Sequence, residues 1–169
     1  LKEFLDHVTE GTNYFTGEIG TPLDFVSFHI YSMSGHWLRP APELVPAVNT
    51  IAIDILNWER LMRRYPTLTT AEIHLNEWGV VSHGDTKFTK DFLRLHIRNS
   101  EYSALFMVKL IDVIYGIHDD HDFTIDLMLY WGSCFNATMH EMFNGSRDLT
   151  TTGNVPKPIF TAWEMLMKL

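Results

Sequence analysis

Apolar residues recur at helical spacing in four stretches of the chain, so four amphipathic helices are predicted. The clearest is the second, where Ile51, Ile55 and Trp58 form one apolar stripe and Pro66 follows the last turn. In the third, which is strongest from Ser100, one face contains Leu105, Val108, Ile111/Asp112 and Tyr115. The predicted helices are Leu1–Val8, Ala47–Tyr65, Phe92–Ile117 and Pro158–Leu166.

Three shorter stretches, rich in β-branched and aromatic residues, lie between these helices and predict strands at Leu23–Tyr31, Thr69–Trp78 and Asp122–Trp131. Strands that alternate with helices are typical of an α/β protein with a parallel sheet. Three strands do not close a barrel. They fit either a small open sheet or the last three strands of an eight-stranded barrel, and the hydrophobic pattern fits both.

Composition narrows the class of protein. The 169 residues are 46% hydrophobic and 13% aromatic, which predicts one folded domain rather than a disordered chain. A net charge of −8 argues against nucleic acid or an anionic membrane as partner. The single cysteine, Cys134, excludes a disulfide framework and a multi-thiolate metal site, and no cofactor motif is present. Because the chain opens inside a predicted helix, we expect it to be part of a longer protein.

Polar and aromatic side chains stand at the carboxyl ends of all three predicted strands, where the loops of a parallel sheet build a site. A carboxylate at a strand end is costly to bury without a partner, so Glu77 is the sharpest candidate, with a structural salt bridge as the alternative. These strand-end residues are His29, Tyr31, Asn76, Glu77, Trp78, Tyr130 and Trp131.

Two of these candidates have simpler explanations. His29 has an apolar neighbour on each side and fits a hydrogen-bonded structural histidine as well as a ligand contact. Trp131 fits either the core or an aromatic wall that stacks on the C–H face of a sugar.

Other signals point to no site. Residues 118–122 (HDDHD) resemble a metal site, but we expect a solvated turn because adjacent side chains diverge in direction. Two glycosylation sequons, at residues 136–138 and 144–146, favour a secreted or lysosomal location. Their support is small, because such triplets are common by chance.

Several segments resemble glycoside hydrolase family 39, which contains β-xylosidases and α-L-iduronidases. Residues 11–29 (GTNYFTGEIGTPLDFVSFH) resemble the entry to the sixth barrel strand of that family. Residues 64–78, which end in IHLNEW, are similar to the segment that carries the nucleophilic glutamate on strand seven. Tyr130-Trp131 resembles the end of strand eight, and residues 156–166 (PKPIFTAWEML) resemble the segment after it.

The resemblance implies that residues 1–169 are a single partial domain, the strands 6–8 portion of a (β/α)₈ barrel. It implies a retaining glycosidase without metal or cofactor, acting on an oligosaccharide or glycoside, with Glu77 as nucleophile. The acid/base glutamate would lie upstream of Leu1. His29 would bind a sugar hydroxyl or support Glu77, Asn76 would contact the substrate, and Trp131 would form part of the sugar pocket.

Two departures from the family bear on the substrate. Tyr31 stands where iduronidases have a lysine, and the acidic residue expected just after strand eight is missing from residues 131–133 (WGS). Because the carboxylate of a uronic acid needs a cation, these departures favour a neutral sugar such as xylose. An α-L-iduronidase-like activity on glycosaminoglycans is the alternative substrate class.

Three interpretations of the whole chain stay open at this point. The first is a retaining glycosidase in which this chain holds the nucleophile, although the isolated fragment is then expected to be inactive. The second is a non-catalytic carbohydrate-binding remnant of a barrel. The third is an open α/β domain in which Glu77 only forms a salt bridge.

Overall fold

The computed structural model describes residues 1–33, 47–81, 97–132, 147–151 and 153–169. Within them, the chain alternates helices and strands in the predicted order. The strands are β1 (Phe25–Met33), β2 (Glu72–Val81) and β3 (Leu127–Tyr130). The helices are α1 (Lys2–Glu10), α2 (Val48–Met62), α3 (Glu101–His121) and α4 (Pro158–Leu166), and a short 3₁₀ turn (Pro66–Leu68) follows α2.

The three strands form one sheet in the order β1-β2-β3, and both pairings are parallel. The prediction of an α/β protein with a parallel sheet is therefore confirmed. Parallel strands need long crossover connections, and α2 and α3 supply them. Because all three strands run the same way, their carboxyl ends meet at one edge of the sheet.

One face of the sheet is covered by the helices. On β1, Val26, Phe28 and Ile30 are buried, and they alternate with more exposed residues, as the pleat of a strand requires. The helices contribute buried residues such as Ile51 and Ile55 of α2. This layer of strand and helix side chains is the hydrophobic core.

The opposite face of the sheet is open. Phe25 of β1 stacks on His74 of β2, with ring centroids 4.6 Å apart, and Leu127 is the register partner of His74 on β3. Phe25, Leu127 and Leu129 are all exposed. The described residues thus leave a row of apolar side chains without cover on this face.

The buried face of α3 is not the one that the sequence pattern suggests. Leu105, Val108 and Tyr115 are exposed, while Phe106 and Leu110 belong to the buried set. Apolar residues occur on more than one side of this helix, so its period alone does not select the packed side.

Among the described residues, no helix has both the length and the apolar composition that a membrane-spanning segment needs.

Two predicted boundaries are also corrected. Strand β2 continues through Gly79 to Val81, where the sequence suggested a stop. Residues 118–121 form the last turn of α3 rather than a loop, and Asp122 ends the helix in the left-handed conformation, with φ of 48°. No group of three or more potential metal ligands is close together in the described ranges.

Candidate functional site

A β-bulge in the middle of β2 determines where Glu77 lies. Phe28 of β1 pairs with Leu75, but the next residue, His29, pairs with Glu77, so β2 contains one extra residue. The pairing of β2 with β3 contains the same insertion, because Met128 pairs with Leu75 and Tyr130 with Trp78. The extra residue lies between Leu75 and Trp78 in both pairings.

The bulge moves Glu77 away from the core. Ile73 and Leu75 are buried, so strict alternation would bury residue 77 next. The extra residue instead brings Trp78 into the core, where it is fully buried, and leaves Glu77 beside His29 and Tyr31. A carboxylate that regular pleating would place in the core therefore reaches a site with polar neighbours.

The Glu77 carboxylate has a different set of neighbours at each oxygen. The Tyr31 hydroxyl donates a hydrogen bond to Oε1, and an Nη1 atom of Arg147 lies 4.0 Å from the same oxygen. The Nδ1 atom of His29 is 3.4 Å from Oε2. Since the Glu77 side chain keeps 18% of its accessible surface, the carboxylate is held on one oxygen and remains partly open to solvent.

Arg147 also connects Glu77 with Trp131. Its guanidinium carbon lies 4.8 Å from the centroid of the Trp131 ring, a cation–π contact. The Arg147 side chain is largely buried, whereas Trp131 remains exposed on its other surface. The indole and the carboxylate are therefore on the same side of the sheet edge and share one guanidinium.

The environment keeps the Tyr31 hydroxyl in its donor form. Burial raises the pKa of Tyr31 well above its usual value, and the hydrogen bond to Glu77 and the negative charge of that carboxylate raise it further. Tyr31 is therefore a neutral donor to Glu77 throughout the physiological pH range.

An aromatic layer supports the site from the core side. The Trp78 ring packs edge-on against Tyr130 at 5.2 Å between centroids, and both contact Trp163 of α4. Burial raises the pKa of Tyr130 to about 12. Gly79 lies under Tyr31, and a Cβ there would come within 3.3 Å of the Tyr31 ring. The backbone can approach the tyrosine this closely because residue 79 has no side chain.

Some buried polar atoms near the site have no hydrogen-bond partner among the described residues. They include Asn76 Oδ1, on the bulge, and Nε of Arg147. A buried polar atom without a partner is costly, and such atoms tend to be satisfied by ligand or water. Arg147, which lies 4.0 Å from Glu77, thus offers a donor near the carboxylate, and Asn76 on the bulge offers an acceptor.

The structure brings most of the predicted site residues to one place. Glu77 and His29 are in direct contact, Asn76 is on the bulge next to Glu77, and Trp131 joins them through Arg147. The sequence did not identify Arg147, which follows β3 after a long connection and gives no local signal. The bond from Tyr31 was also missed, although residues two apart on a strand share a face.

No family model matches the sequence, and no curated protein matches it. Solved structures do match. A monomeric β-xylosidase from Caulobacter crescentus is 19% identical over 99% of this chain, with a TM-score of 0.66. A family 39 β-xylosidase from the same organism is 18% identical over 100%, with a TM-score of 0.61. A bacterial orthologue of human α-L-iduronidase is 19% identical over 98%, with a TM-score of 0.65.

The chain spans 27–31% of the length of these three enzymes. Identity below one fifth supports a statement about the fold and none about the substrate. The resemblance to glycoside hydrolase family 39 is therefore confirmed for the fold, and the chain aligns with part of each of these enzymes.

Proposed function

We propose that this chain carries the nucleophile of a retaining glycoside hydrolase, and that Glu77 is that nucleophile. One observation carries the proposal: Glu77 is a partly exposed carboxylate at the edge of the sheet where β3 ends, next to the Trp78–Tyr130 register pair, and Tyr31, His29 and Arg147 converge on it. In parallel α/β folds this edge is where active sites lie.

The two oxygens of Glu77 would have different tasks. Tyr31 and Arg147 hold Oε1, while Oε2 faces His29 at the longer distance of 3.4 Å. Oε2 is therefore the oxygen that would bond to the anomeric carbon as the glycosidic C–O bond breaks, which gives the glycosyl-enzyme. The second carboxyl group of such an enzyme would protonate the leaving alcohol. Water would then open this intermediate, with the hydrogen bond from Tyr31 keeping the carboxylate oriented through both steps.

A retaining mechanism needs a second carboxyl group as acid/base, about 5–5.5 Å from the nucleophile. We propose that it comes from the part of the enzyme that this chain does not span. The same proposal makes β1, β2 and β3 the strands 6–8 of a (β/α)₈ barrel. The exposed row of Phe25, Leu127 and Leu129 supports it, because further strands would cover that face.

A β-xyloside is the substrate proposed first. The His29 imidazole is more than half exposed beside Glu77 and can bind a sugar hydroxyl, and Trp131 offers a ring to the C–H face of a sugar. Asn76, the residue before Glu77, has an amide oxygen without a hydrogen-bond partner among the described residues, which can accept from a hydroxyl. These groups recognise hydroxyls and C–H surface and require no charge on the sugar.

Arg147 favours a second candidate, a uronic acid glycoside. The sequence lacks the lysine that iduronidases carry at position 31, but the structure places a different cation at the site, 4.0 Å from Glu77. A guanidinium can bind a substrate carboxylate through two hydrogen bonds, and Nε of Arg147 has no partner among the described residues. A charged sugar thus has a candidate binding group.

Covalent trapping tests the nucleophile. The protein, in the longest form that its gene encodes, is incubated with an activated 2-fluoro-β-xyloside and with the corresponding 2-fluoro uronide. We expect a label on the peptide that contains Glu77, and Glu77→Gln should abolish it. Glu72→Gln is the matched control, because Glu72 is an exposed carboxylate on the same strand.

The outcomes separate the candidates. Label on any residue other than Glu77 contradicts the nucleophile assignment, and absence of label with both probes contradicts the glycosidase. Arg147→Met distinguishes the substrates: it should weaken reaction with the uronide much more than with the xyloside if the charged sugar is the substrate.

A further inference from the structure

A small hairpin follows Arg147, in which residues 149–151 pair with residues 155–157. The Lys157 backbone N–H donates to the Leu149 carbonyl at 3.0 Å, and residues 150 and 156 form an antiparallel bridge. Near the turn, the Thr151 N–H donates to the Val155 carbonyl at 2.9 Å, and the Thr151 hydroxyl accepts from the Val155 N–H. Lys157 is therefore directly opposite the residues that follow Arg147.

The Lys157 side chain is fully buried at the start of α4. A lysine is almost never buried in this way unless its charge is paired. Asp148, which precedes Leu149 in the hairpin, is close enough to favour the charged lysine, while Arg98 opposes it. Burial outweighs both effects and lowers the pKa of Lys157 to about 8.

Arg98 is a second buried basic residue, and it contacts the end of β2. It is buried, and its Nη2 donates to the carbonyl of Val81, the last residue of β2, at 2.6 Å. The charges of Arg98 and Arg147 lower the pKa of the Tyr130 hydroxyl and that of Asp148 raises it, although burial has the larger effect. The end of β2 and the start of α4 thus each have a buried basic side chain, Arg98 and Lys157.

We propose that Lys157 is a positioning residue for Arg147: its buried ammonium anchors Asp148 and the hairpin, and thereby keeps the adjacent Arg147 guanidinium between Trp131 and Glu77. Lys157 itself touches neither substrate nor the reacting oxygens in this arrangement. Its effect on turnover rests on the proposed function, whereas its anchoring of the hairpin does not.

A double-mutant cycle tests the consequence for turnover. Glycoside hydrolysis, or labelling of Glu77, is measured for the full-length protein and for Lys157→Met, Arg147→Met and the double variant. We expect Lys157→Met to lower the rate by about tenfold, a cost typical of a misplaced site group. On the Arg147→Met background the same change should have little effect, since residues that act through one another are not additive.

A second double-mutant cycle uses an NMR signal and requires no enzymatic activity. The indole N–H resonance of Trp131, assigned by its loss in Trp131→Phe, reports whether the guanidinium covers the ring. Lys157→Met should move this resonance toward its position in Arg147→Met, and should not move it once Arg147 is absent. Lys109→Met, which removes an exposed lysine on α3, is the matched control and should leave the resonance in place.

The two cycles can fail independently. Equal effects of Lys157→Met with and without Arg147 would show that the lysine supports the fold alone, and would overturn the proposal. If Lys157→Met does not fold, Asp148→Asn takes its place in both cycles with the same expectations. A parent protein without turnover or label refutes the proposed function, and the resonance cycle still decides the role of Lys157.

Discussion

Two histidine–glutamate pairs lie on the same sheet, one at the amino end of β2 and one near the middle of β1 and β2. They differ in which partner is buried. At the amino end of β2, the His74 Nε2 is 2.8 Å from Glu72 Oε2, and the carboxylate is 63% exposed. Near the middle of the two strands, His29 Nδ1 and Glu77 Oε2 are 3.4 Å apart, the imidazole is 56% exposed and the carboxylate 18%.

The difference shows that an ion-pair contact by itself does not mark a site. Phe25 covers the His74 ring and Glu72 extends into water, where an exposed pair contributes little. Glu77 instead has a second donor in Tyr31 and a nearby cation in Arg147. The convergence of donors on one partly buried carboxylate, rather than the shorter distance, distinguishes the candidate site.

Exchanging each glutamate for glutamine gives the largest expected contrast. Glu77→Gln should lower glycoside turnover by about 10⁴-fold or more, as loss of a nucleophile does in other enzymes. Glu72→Gln should leave turnover within about twofold, because that carboxylate is exposed. Steady-state kinetics on both purified variants measures the contrast, and similar losses in the two would remove the distinction between the two pairs.

Removing a tyrosine hydroxyl tests the donor to Glu77. Tyr31→Phe should lower turnover by about 10- to 100-fold, since a hydrogen bond to a charged group contributes about 1.5–3 kcal/mol. Tyr65→Phe is the matched control, because Tyr65 donates to another carboxylate, that of Asp6 on α1, at 2.7 Å. The control should lower thermal stability without changing turnover; unchanged turnover in Tyr31→Phe would contradict the assigned role.

A pair of glycines separates site geometry from general stability. In Gly79→Ala the new Cβ would lie 3.3 Å from the Tyr31 ring and displace its hydroxyl, so we expect turnover to fall by about 3- to 10-fold. In Gly116→Ala, within α3, nothing lies within 4 Å of the new Cβ. That change should raise the free energy of unfolding by about 0.5–1 kcal/mol and leave turnover unchanged, which denaturant titration and kinetics would show.

The smallest expected effect is a pH dependence remote from the site. The His118 Nε2 accepts a hydrogen bond from the Ile125 N–H at 2.9 Å, and burial lowers the pKa of His118 below 6.5. The folded state then binds fewer protons than the unfolded state below pH 6.5, so the free energy of unfolding should fall as the pH decreases through that range. Urea titrations between pH 7 and 5 measure it, and an equal slope in His118→Gln would contradict it.

The order and type of the elements could be predicted because they depend on local signals. Pro158 near the first turn and the apolar pattern to Leu166 located the last helix at its observed bounds. The end of β2 could not be predicted, since the glycine that suggested a stop is tolerated inside a strand that packs under Tyr31. The prediction of which side of α3 packs was wrong, because its apolar residues occur on several sides. Contacts with the neighbouring sheet and helices decide which side is buried.

Part of the candidate site could also be predicted. Parallel strands bring their carboxyl ends together, so His29 and Glu77 were expected on one edge, and they are in contact. The bulge that turns Glu77 out of the core is a property of pairing with both neighbours. Arg147 arrives from a distant loop, and no pattern near it predicts its place beside Trp131. The catalytic and binding roles of all these residues stay predictions.

The sequence by itself determined the alternation of helix and strand and the residue types available at each strand end, because periodicity and strand chemistry are local properties of the chain. Tertiary structure decided which carboxylate gathers donors and which remains in water. Those outcomes depend on strand register, on the one-residue bulge in β2 and on the hairpin next to Arg147, whose guanidinium lies beside Glu77. Each is fixed by packing between residues far apart in the chain, where local patterns carry no information.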